Sequence, residues 1–140
     1  MLRVETQLSA FLENRSGALA ALAADLAAHG ISIRALTVAN LVDHALVRLV
    51  VSDPRGALHL LGEHGVLSVQ APVLAIEIPD EAGALADIAR RLGRVGVNIN
   101  YAYGSGPAGG GRAVIYLHVS DMRRARRALT SRRRSPARKR

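Results

Sequence analysis

The sequence predicts an α+β fold built from two similar halves. The first observation behind this prediction is a repeat, in which residues 13–19 (ENRSGAL) have a counterpart 66 positions later in residues 79–85 (PDEAGAL). At the same offset, Gly30-Ile31-Ser32-Ile33 corresponds to Gly96-Val97-Asn98-Ile99. The second observation is that both copies share one order of strands and helices. A repeat of this length is typical of two like domains that pack together.

The first copy is predicted to run strand, helix, strand, strand, helix, strand. Residues 6–12 alternate between apolar and polar side chains, as a half-buried strand does. Apolar residues then recur at helical spacing until Gly30, which is a plausible stop. Pro54 stands where a second helix often begins. The remaining strands are predicted at residues 31–38, 46–51 and 66–69.

The second copy repeats this order but lacks a closing strand. Strands are predicted at residues 74–78, 97–103 and 113–119, and helices at residues 82–95 and 122–129. After residue 130 almost nothing is apolar, so the last strand is missing there. The two copies are joined only by Gln70-Ala71-Pro72, which predicts a tight junction between two separate strands. We place the domains at residues 1–71 and 72–130, followed by a basic tail at 131–140 that we expect to be disordered.

The element order is that of a split β-α-β, or ferredoxin-like, domain. It predicts antiparallel sheets with the helices of each copy on one face. A unit of about 65 residues buries little core by itself, and its exposed strand edges invite pairing. We therefore expect a homodimer.

Composition narrows the classes of function. The 140 residues carry a formal net charge of +8, but residues 1–121 hold 9 arginines and 11 acidic residues, so the excess lies in the 9 arginines and 1 lysine of residues 122–140. There is no cysteine, which excludes disulfides and thiolate metal sites. No apolar stretch approaches the length of a membrane span, and the N-terminal residues hold no apolar signal core. We therefore expect a cytoplasmic protein without a membrane partner.

Two short segments in each copy carry a resemblance to a known family. They are residues 12–19 with Gly30-Ile31-Ser32-Ile33, and residues 80–85 with Gly96-Val97-Asn98-Ile99. This pattern resembles the ACT domain, a regulatory module that binds small molecules and accompanies many enzymes of amino-acid metabolism. The resemblance covers nearly all of residues 5–130. The overall size is similar to that of stand-alone tandem ACT proteins, which have no catalytic domain.

The resemblance implies a ligand at the interface between two ACT domains, where one domain supplies its first turn and the other the start of its second strand. Asn14 and Asn98 match the two asparagine positions of the family motif, and we expect them to form one amino-acid site. Their counterparts Asp80 and Ser32 would form a weaker or altered twin, because Asp80 would repel a ligand carboxylate. The ligand-binding candidates are Asn14, Arg15, Ser16, Gly17, Ala18, Ser32, Asp80, Ala82, Gly83, Ala84, Asn98 and Ile99.

The chemistry of these residues suits an amino acid but leaves alternatives open. The N–H groups and partial positive charge at a helix N-terminus suit a carboxylate, and an asparagine amide can bind either an ammonium or a carboxylate group. Gly17 allows close approach of the backbone, or it serves close packing. Asn14 or Ser16 could simply cap the helix. Tyr101 and Tyr103 share one strand face, where they either pack in the core or line the pocket.

Other motifs do not point to catalysis or to a cofactor. Residues 104–109 spell GxGxxG, but a dinucleotide fingerprint must run from a strand into a helix, and these glycines run on into a strand. They predict a mobile hairpin loop. His59 and His64 lie five apart and have no accompanying carboxylate cluster, so no metal site is expected. We find no catalytic constellation, and we expect neither enzymatic activity nor a bound cofactor.

The sequence therefore predicts a non-catalytic regulatory protein that binds a free amino acid or similar small ligand and shifts its conformation or assembly. An amino-acid metabolic enzyme is the further partner that the resemblance implies. One alternative is a protein-binding accessory subunit with a vestigial pocket. Another is a protein that associates with nucleic acid through its arginine-rich tail. Nucleic acid is the less favoured partner, because no aromatic residues stand among the arginines to stack on bases.

Overall fold

The computed structural model describes residues 1–79, 81–105 and 112–130, and the chain divides into two compact units. We call Glu5–Val73 the N-terminal unit, and Met1–Val4 with Leu74–Arg140 the C-terminal unit. The helices and strands are β1 (Leu2–Glu13), α1 (Ala18–Ala28), β2 (Ile33–Leu41), β3 (His44–Val51), α2 (Pro54–Glu63), β4 (Ser68–Pro79), α3 (Ala84–Arg94), β5 (Ile99–Ser105), β6 (Arg112–Val119) and α4 (Met122–Thr130).

In the N-terminal unit the strands lie in the order β2, β3, β1, β4. β3 pairs with both β1 and β2 in antiparallel fashion, and Gln7 and Glu13 of β1 lie opposite Val50 and His44. Alternate strand residues face α1 and α2, which pack on the same side of the sheet. This side holds the buried core, formed by Leu8, Ala10, Leu12, Leu22, Leu26, Ile31, Val47, Leu49, Val51, Ala57, Leu60 and Leu61.

Local sequence explains where these helices begin and end. α1 follows Gly17, whose φ of 86° lies in the left-handed region that favours glycine. Gly30 follows the end of α1 with a φ of 70°, as predicted. α2 begins at Pro54, also as predicted, and the side chain of Asp53 accepts a hydrogen bond of 3.0 Å from the N–H of Gly56.

The C-terminal unit repeats this architecture. Its strands lie in the order β5, β6, β4, β1, with Leu74–Pro79 of β4 and Leu2–Val4 of β1. β6 pairs in antiparallel fashion with β4 and with β5. α3 follows Gly83, whose φ of 89° matches that of Gly17. The core beneath α3 and α4 is formed by Leu74, Ile76, Ile78, Ile88, Leu92, Val97, Ala113, Leu117, Val119 and Ala125.

Met1–Val4 occupies the place of the closing strand that the second copy lacks. Within the described residues no strand follows α4. Instead, the N–H of Glu77 in β4 donates to the carbonyl of Met1 at 3.0 Å, and Leu2 packs against the core of this unit. The sequence predicted the missing strand, but not the segment that fills its place, because that segment comes from the other end of the chain.

The prediction of two separate strands around the junction is wrong. β4 is one strand of 12 residues, and Pro72 lies inside it with an exposed side chain. Pro72 does not interrupt the strand, because a proline does so only where its missing N–H is needed for the ladder. The boundary between the two units falls within this strand, between Val73 and Leu74.

The predicted fold class is confirmed. Each unit has the ferredoxin-like strand order, with antiparallel strands and two helices on one face. None of the helices in the described part of the chain has both the length and the apolar character that crossing a membrane requires. Of the hairpin loop predicted from residue 104 onward, Gly104 and Ser105 belong to β5, and residues 106–111 lie outside the described residues. The basic tail at 131–140 and Asp80 also lie outside them.

Substituting Leu2→Asp should destabilise the C-terminal unit, because it places a carboxylate against an apolar core. We expect the free energy of unfolding to fall by about 2 kcal/mol in urea denaturation. Amide hydrogen exchange in β4 should also become faster. Val4→Asp is the matched control, since Val4 is 43% exposed and should tolerate the charge. Equal losses in the two variants would contradict a stabilising role for Leu2.

Candidate functional site

The turn between β1 and α1 displays the predicted site residues of the first copy. Residues 14–17 are exposed. The Arg15 guanidinium donates from Nε to a Glu13 carboxylate oxygen at 2.8 Å. The side-chain nitrogen of Asn14 donates to the carbonyl of Val42 at 3.4 Å. The turn therefore lies next to the connection between β2 and β3, with its polar groups open to solvent.

No side chain caps α1. The N-cap residue is Gly17, and neither Asn14 nor Ser16 accepts a hydrogen bond from the first helical turn. The alternative that one of them caps the helix is therefore wrong. The first turn of a helix has N–H groups without intrahelical partners, and here no side chain satisfies them.

Glycine at position 17 is required by backbone conformation rather than by close packing. A Cβ added at Gly17 would meet no atom within 4 Å, and the same holds at Gly83. The alternative that Gly17 serves close packing is therefore wrong. The left-handed φ remains as the physical reason for glycine, and the space beside the turn is open.

Substituting Gly17→Ala should lower the free energy of unfolding by about 1 kcal/mol, because an L-residue is strained at positive φ. Gly83→Ala should have an equal effect, since its backbone conformation is the same. Gly62→Ala is the control, because Gly62 lies in α2 with open space around it and without a positive φ. Urea denaturation measures all three variants. A Gly17→Ala variant as stable as Gly62→Ala would contradict the argument.

In each unit, a serine hydroxyl accepts a hydrogen bond from the backbone just before the second strand. The N–H of Ser32 donates to Oγ of Ser52 at 2.9 Å, and the N–H of Asn98 donates to Oγ of Ser120 at 2.9 Å. In both units the residue after this serine is an aspartate, whose carboxylate accepts a hydrogen bond from a backbone N–H of the next helix. The two serines were not predicted as site residues, although the repeated Val-Ser-Asp segment is a sequence signal for them.

Asn98 begins a chain of side-chain hydrogen bonds that Ser32 lacks. Its Nδ2 donates to Oδ1 of Asn100 at 2.9 Å, and Nδ2 of Asn100 lies 3.0 Å from Nδ1 of His118. The His118 ring stacks on Tyr101, with ring centroids 4.8 Å apart and planes at 7°. Asn100 and His118 were not predicted as site residues, because no motif links positions on two different strands.

The tyrosines of β5 stack on their neighbours in β6. Tyr101 stacks on His118, and Tyr103 stacks on Tyr116 with ring centroids 5.5 Å apart. Both tyrosines are half-buried and lie opposite these partners in the strand register, which confirms the prediction that they share a face. Neither tyrosine belongs to the core beneath α3 and α4, so the alternative that they pack in the core is wrong.

Each unit has a groove beside its strand-to-helix turn. The groove has a volume of about 340 Å³ in the N-terminal unit and about 590 Å³ in the C-terminal unit. Small-molecule sites commonly have volumes of about 300–1,000 Å³. Among the predicted residues, Arg15 and Ala18 line the first groove, and Ala82, Gly83 and Ala84 line the second. Neither groove is lined by Asn14 or Asn98.

Two pairs of corresponding positions in the grooves carry opposite charges. Arg15 and Asp25 line the N-terminal groove, whereas Glu81 and Arg91, which stand 66 positions later, line the C-terminal groove. The carboxylate of Asp25 lies 3.5 Å from Nε2 of His64. At these two pairs of corresponding positions an arginine and a carboxylate have changed places, although Glu77 and Asp87 also line the C-terminal groove and Arg15 is paired with Glu13.

Within a unit, the turn and the start of the second strand lie at opposite ends of the sheet. Asn14 lies beside the first residues of β3, whereas Ser32 bonds to Ser52, just beyond the last residue of β3. The same separation holds for Gly83 and Asn98 in the C-terminal unit. No single unit therefore brings a turn and a strand start together. Asn14 and Asn98 belong to different units, and their joint site stays a prediction.

His59 in α2 and His64 just after it contact carboxylates rather than each other. Nε2 of His59 lies 2.9 Å from Glu63, and His64 lies 3.5 Å from Asp25. Both pairs are exposed, so each contributes at most about 1 kcal/mol when the histidine is protonated. Across residues 1–79, 81–105 and 112–130, no group of three or more histidine, aspartate and glutamate side chains could hold a metal ion.

Two ferredoxin-like units, each with a left-handed glycine turn before its first helix, define a tandem of small α+β domains. The sequence model of the ACT domain pair family matches residues 3–135. The chain therefore belongs to the ACT domain pair family, which confirms the resemblance found in the sequence.

Solved structures support this assignment. The chain is similar to protein BT0572 from Bacteroides thetaiotaomicron, with 33% identity, a TM-score of 0.86 and coverage of 91% of this chain and 88% of that one. It is also similar to the ligand-free regulatory subunit of aspartate kinase from Thermus thermophilus, with 16% identity, a TM-score of 0.69 and 91% coverage of both chains. The corresponding subunit from Thermus flavus matches at 16% identity, a TM-score of 0.62 and coverage of 92% and 93%. At this identity the two kinase subunits show the fold alone. No match was found among curated proteins.

Proposed function

We propose that this chain is a non-catalytic regulatory protein that binds a free amino acid, or a similar small molecule, between ACT domains. Asn14 and Asn98 are the proposed principal contacts, and residues 15–18 and 82–84 complete the turns around the ligand. The observation that carries the proposal is membership of the ACT domain pair family over residues 3–135.

The geometry of the β1–α1 turn supports binding of a carboxylate. Its first helical turn has no side-chain cap, and the space where a Cβ of Gly17 would lie is open. Backbone N–H groups and the helix dipole favour a negative charge at such a position. Asn14 is exposed beside it, and its amide oxygen is available to accept from a ligand ammonium group.

Regulation follows if the ligand binds one arrangement of the protein more tightly than another. Such a ligand shifts the population toward the arrangement that it prefers. The proposed partner whose activity responds is an enzyme of amino-acid metabolism. Two of the proteins that share this fold are named as regulatory subunits of aspartate kinase, which supports a partner of this kind.

An amino acid should raise the melting temperature of the wild-type protein in a thermal-shift screen of the twenty common amino acids. Titration calorimetry with each amino acid that does so should then show at least about a tenfold loss of affinity in the Asn14→Ala, Asn98→Ala double variant. Gln70→Ala is the control, because Gln70 is an exposed carboxamide of β4 outside both the proposed ligand site and the proposed dimer interface.

Equal affinity in the double variant and the wild type would refute the roles of Asn14 and Asn98. Absence of binding by all twenty amino acids would contradict the proposed function. It would favour the alternative of a protein-binding accessory subunit.

We also propose that the chain forms a homodimer through β2. This strand is the edge of the N-terminal unit, and an edge strand offers unpaired N–H and C=O groups to another chain. Its apolar residues Leu36, Val38 and Leu41 are exposed. Pairing with a second copy would cover these side chains and the strand edge together.

Substituting Val38→Lys should weaken the dimer, because a charged side chain would enter the covered strand face. We expect at least about a tenfold rise in the dissociation constant, measured by sedimentation velocity over a range of concentrations. Val69→Lys is the matched control: Val69 is 55% exposed on β4, compared with 44% for Val38 on β2. A monomeric wild type, or equal dissociation constants in both variants, would contradict this interface.

A further inference from the structure

The backbone and the side chain of Asn98 are both held by neighbours within the C-terminal unit. Its N–H donates to Oγ of Ser120 at 2.9 Å, and its side-chain Nδ2 donates to Oδ1 of Asn100 at 2.9 Å. Asn100 in turn lies 3.0 Å from Nδ1 of His118 through its own Nδ2. Asn98 therefore stands at the end of a relay of three side chains, which we call the Asn98–Asn100–His118 relay.

A β-bulge brings Asn100 into this relay. The register between β5 and β6 shifts between Ile99 and Tyr101, so Asn100 has no partner of its own in the ladder. In a regular strand, neighbouring side chains point to opposite faces. A bulge re-aims the side chain of the extra residue, and here that side chain lies within hydrogen-bond distance of His118, the strand partner of Tyr101.

The relay has a direction, because an amide has a donating end and an accepting end. With the Asn100 amide oriented as in the structure, its nitrogen donates and Nδ1 of His118 accepts, which assigns the proton of the neutral ring to Nε2. The oxygen of Asn100 then faces Nδ2 of Asn98. This leaves Oδ1 of Asn98, an exposed residue, as the amide end without a partner among the described residues.

Stacking on Tyr101 orients the ring plane of His118. The ring of His118 lies parallel to that of Tyr101, with planes at 7° and centroids 4.8 Å apart. Stacked rings at this distance resist rotation about the side-chain bonds. Within this plane, the contact of 3.0 Å with Asn100 selects the ring orientation in which Nδ1 faces the amide.

The N-terminal unit does not have this arrangement. A register shift occurs at the same place in β2, but the residues that correspond to Asn98 and Asn100 are Ser32 and Arg34. The position that corresponds to His118 is Val50, which is fully buried. The relay is thus a property of one unit, added to a backbone that both units share.

We infer that Asn100 and His118 are positioning residues that hold Asn98 with its carbonyl oxygen free to accept from the ammonium group of an amino acid. The inference rests on the proposed function. It deepens that function by assigning a chemical sense to one contact: Asn98 recognises the amino end of the ligand. Amino acids should therefore bind, whereas their N-acetyl derivatives, which have the carboxylate but no ammonium group, should not.

Measuring which ring nitrogen of His118 carries the proton tests the relay in the ligand-free protein. Long-range ¹H–¹⁵N spectra at neutral pH should show a proton on Nε2 and a lone pair on Nδ1 of His118. In the Asn100→Leu variant this tautomer preference should diminish, because the amide donor is gone. A proton on Nδ1 in the wild type would overturn the inference, because the amides of Asn100 and Asn98 would then be reversed.

Binding tests the consequence for the ligand. The probes are each amino acid that stabilises the wild type in the twenty-member screen, and its N-acetyl derivative. Asn100→Leu and His118→Phe, which keeps an aromatic ring against Tyr101, should each lower amino-acid affinity about tenfold. Their combination should lower it no further than either alone, because both act through one relay. Asn100→Asp should keep the affinity, since its carboxylate still accepts from Asn98.

Arg34→Ala is the matched control, because Arg34 occupies the position of Asn100 in the other unit and should leave affinity unchanged. Unaltered affinity in Asn100→Leu and His118→Phe, with a wild type that binds, would overturn the relay while the proposed function stands. Tight binding of the N-acetyl derivative would also overturn it. A wild type that binds none of the twenty amino acids would remove the proposed function and this inference with it.

Discussion

Burial of one strand face beneath two helices is the constraint on which both units depend. A domain of this size has little apolar surface to cover, so every strand must contribute alternate side chains to the same face. In the C-terminal unit this requirement extends to Leu2, because the strand that closes its sheet comes from residues 1–4. The turns, caps and bulges described above serve mainly to keep the strands in the register that this face requires.

The two units share several backbone features but differ in the side chains that they place on them. Both use a glycine with φ near 90° before the first helix, a serine that holds the second strand, an aspartate cap and a register shift in the second strand. On this shared backbone, Arg15 and Asp25 are replaced by Glu81 and Arg91, and Ser32 is replaced by Asn98. Two positions with the same geometry therefore have different electrostatics, and one unit can specialise without rebuilding its fold.

Most of the fold could be predicted because its helices and strands follow from local sequence patterns. Apolar spacing located the helices, and Gly30 and Pro54 marked their ends, since left-handed glycines and N-terminal prolines act within one turn. The role of Met1–Val4 was not predictable, because strand recruitment across the chain leaves no local pattern. The candidate site was predictable only in part. The resemblance to the ACT domain identified Asn14 and Asn98, whereas His118 joins Asn98 through Asn100 and a bulge that alternation alone would not place.

The recruited strand has a consequence for biosynthesis. Glu77, whose N–H meets the carbonyl of Met1, follows it by 76 residues. At a translation rate of about 5–20 residues per second, Glu77 is therefore made about 4–15 s after Met1. During that interval the nascent chain exposes an unpaired strand end that chaperones or a neighbouring chain could capture. The C-terminal unit can close only after its strands β4, β5 and β6 have been made and residues 1–4 have joined them.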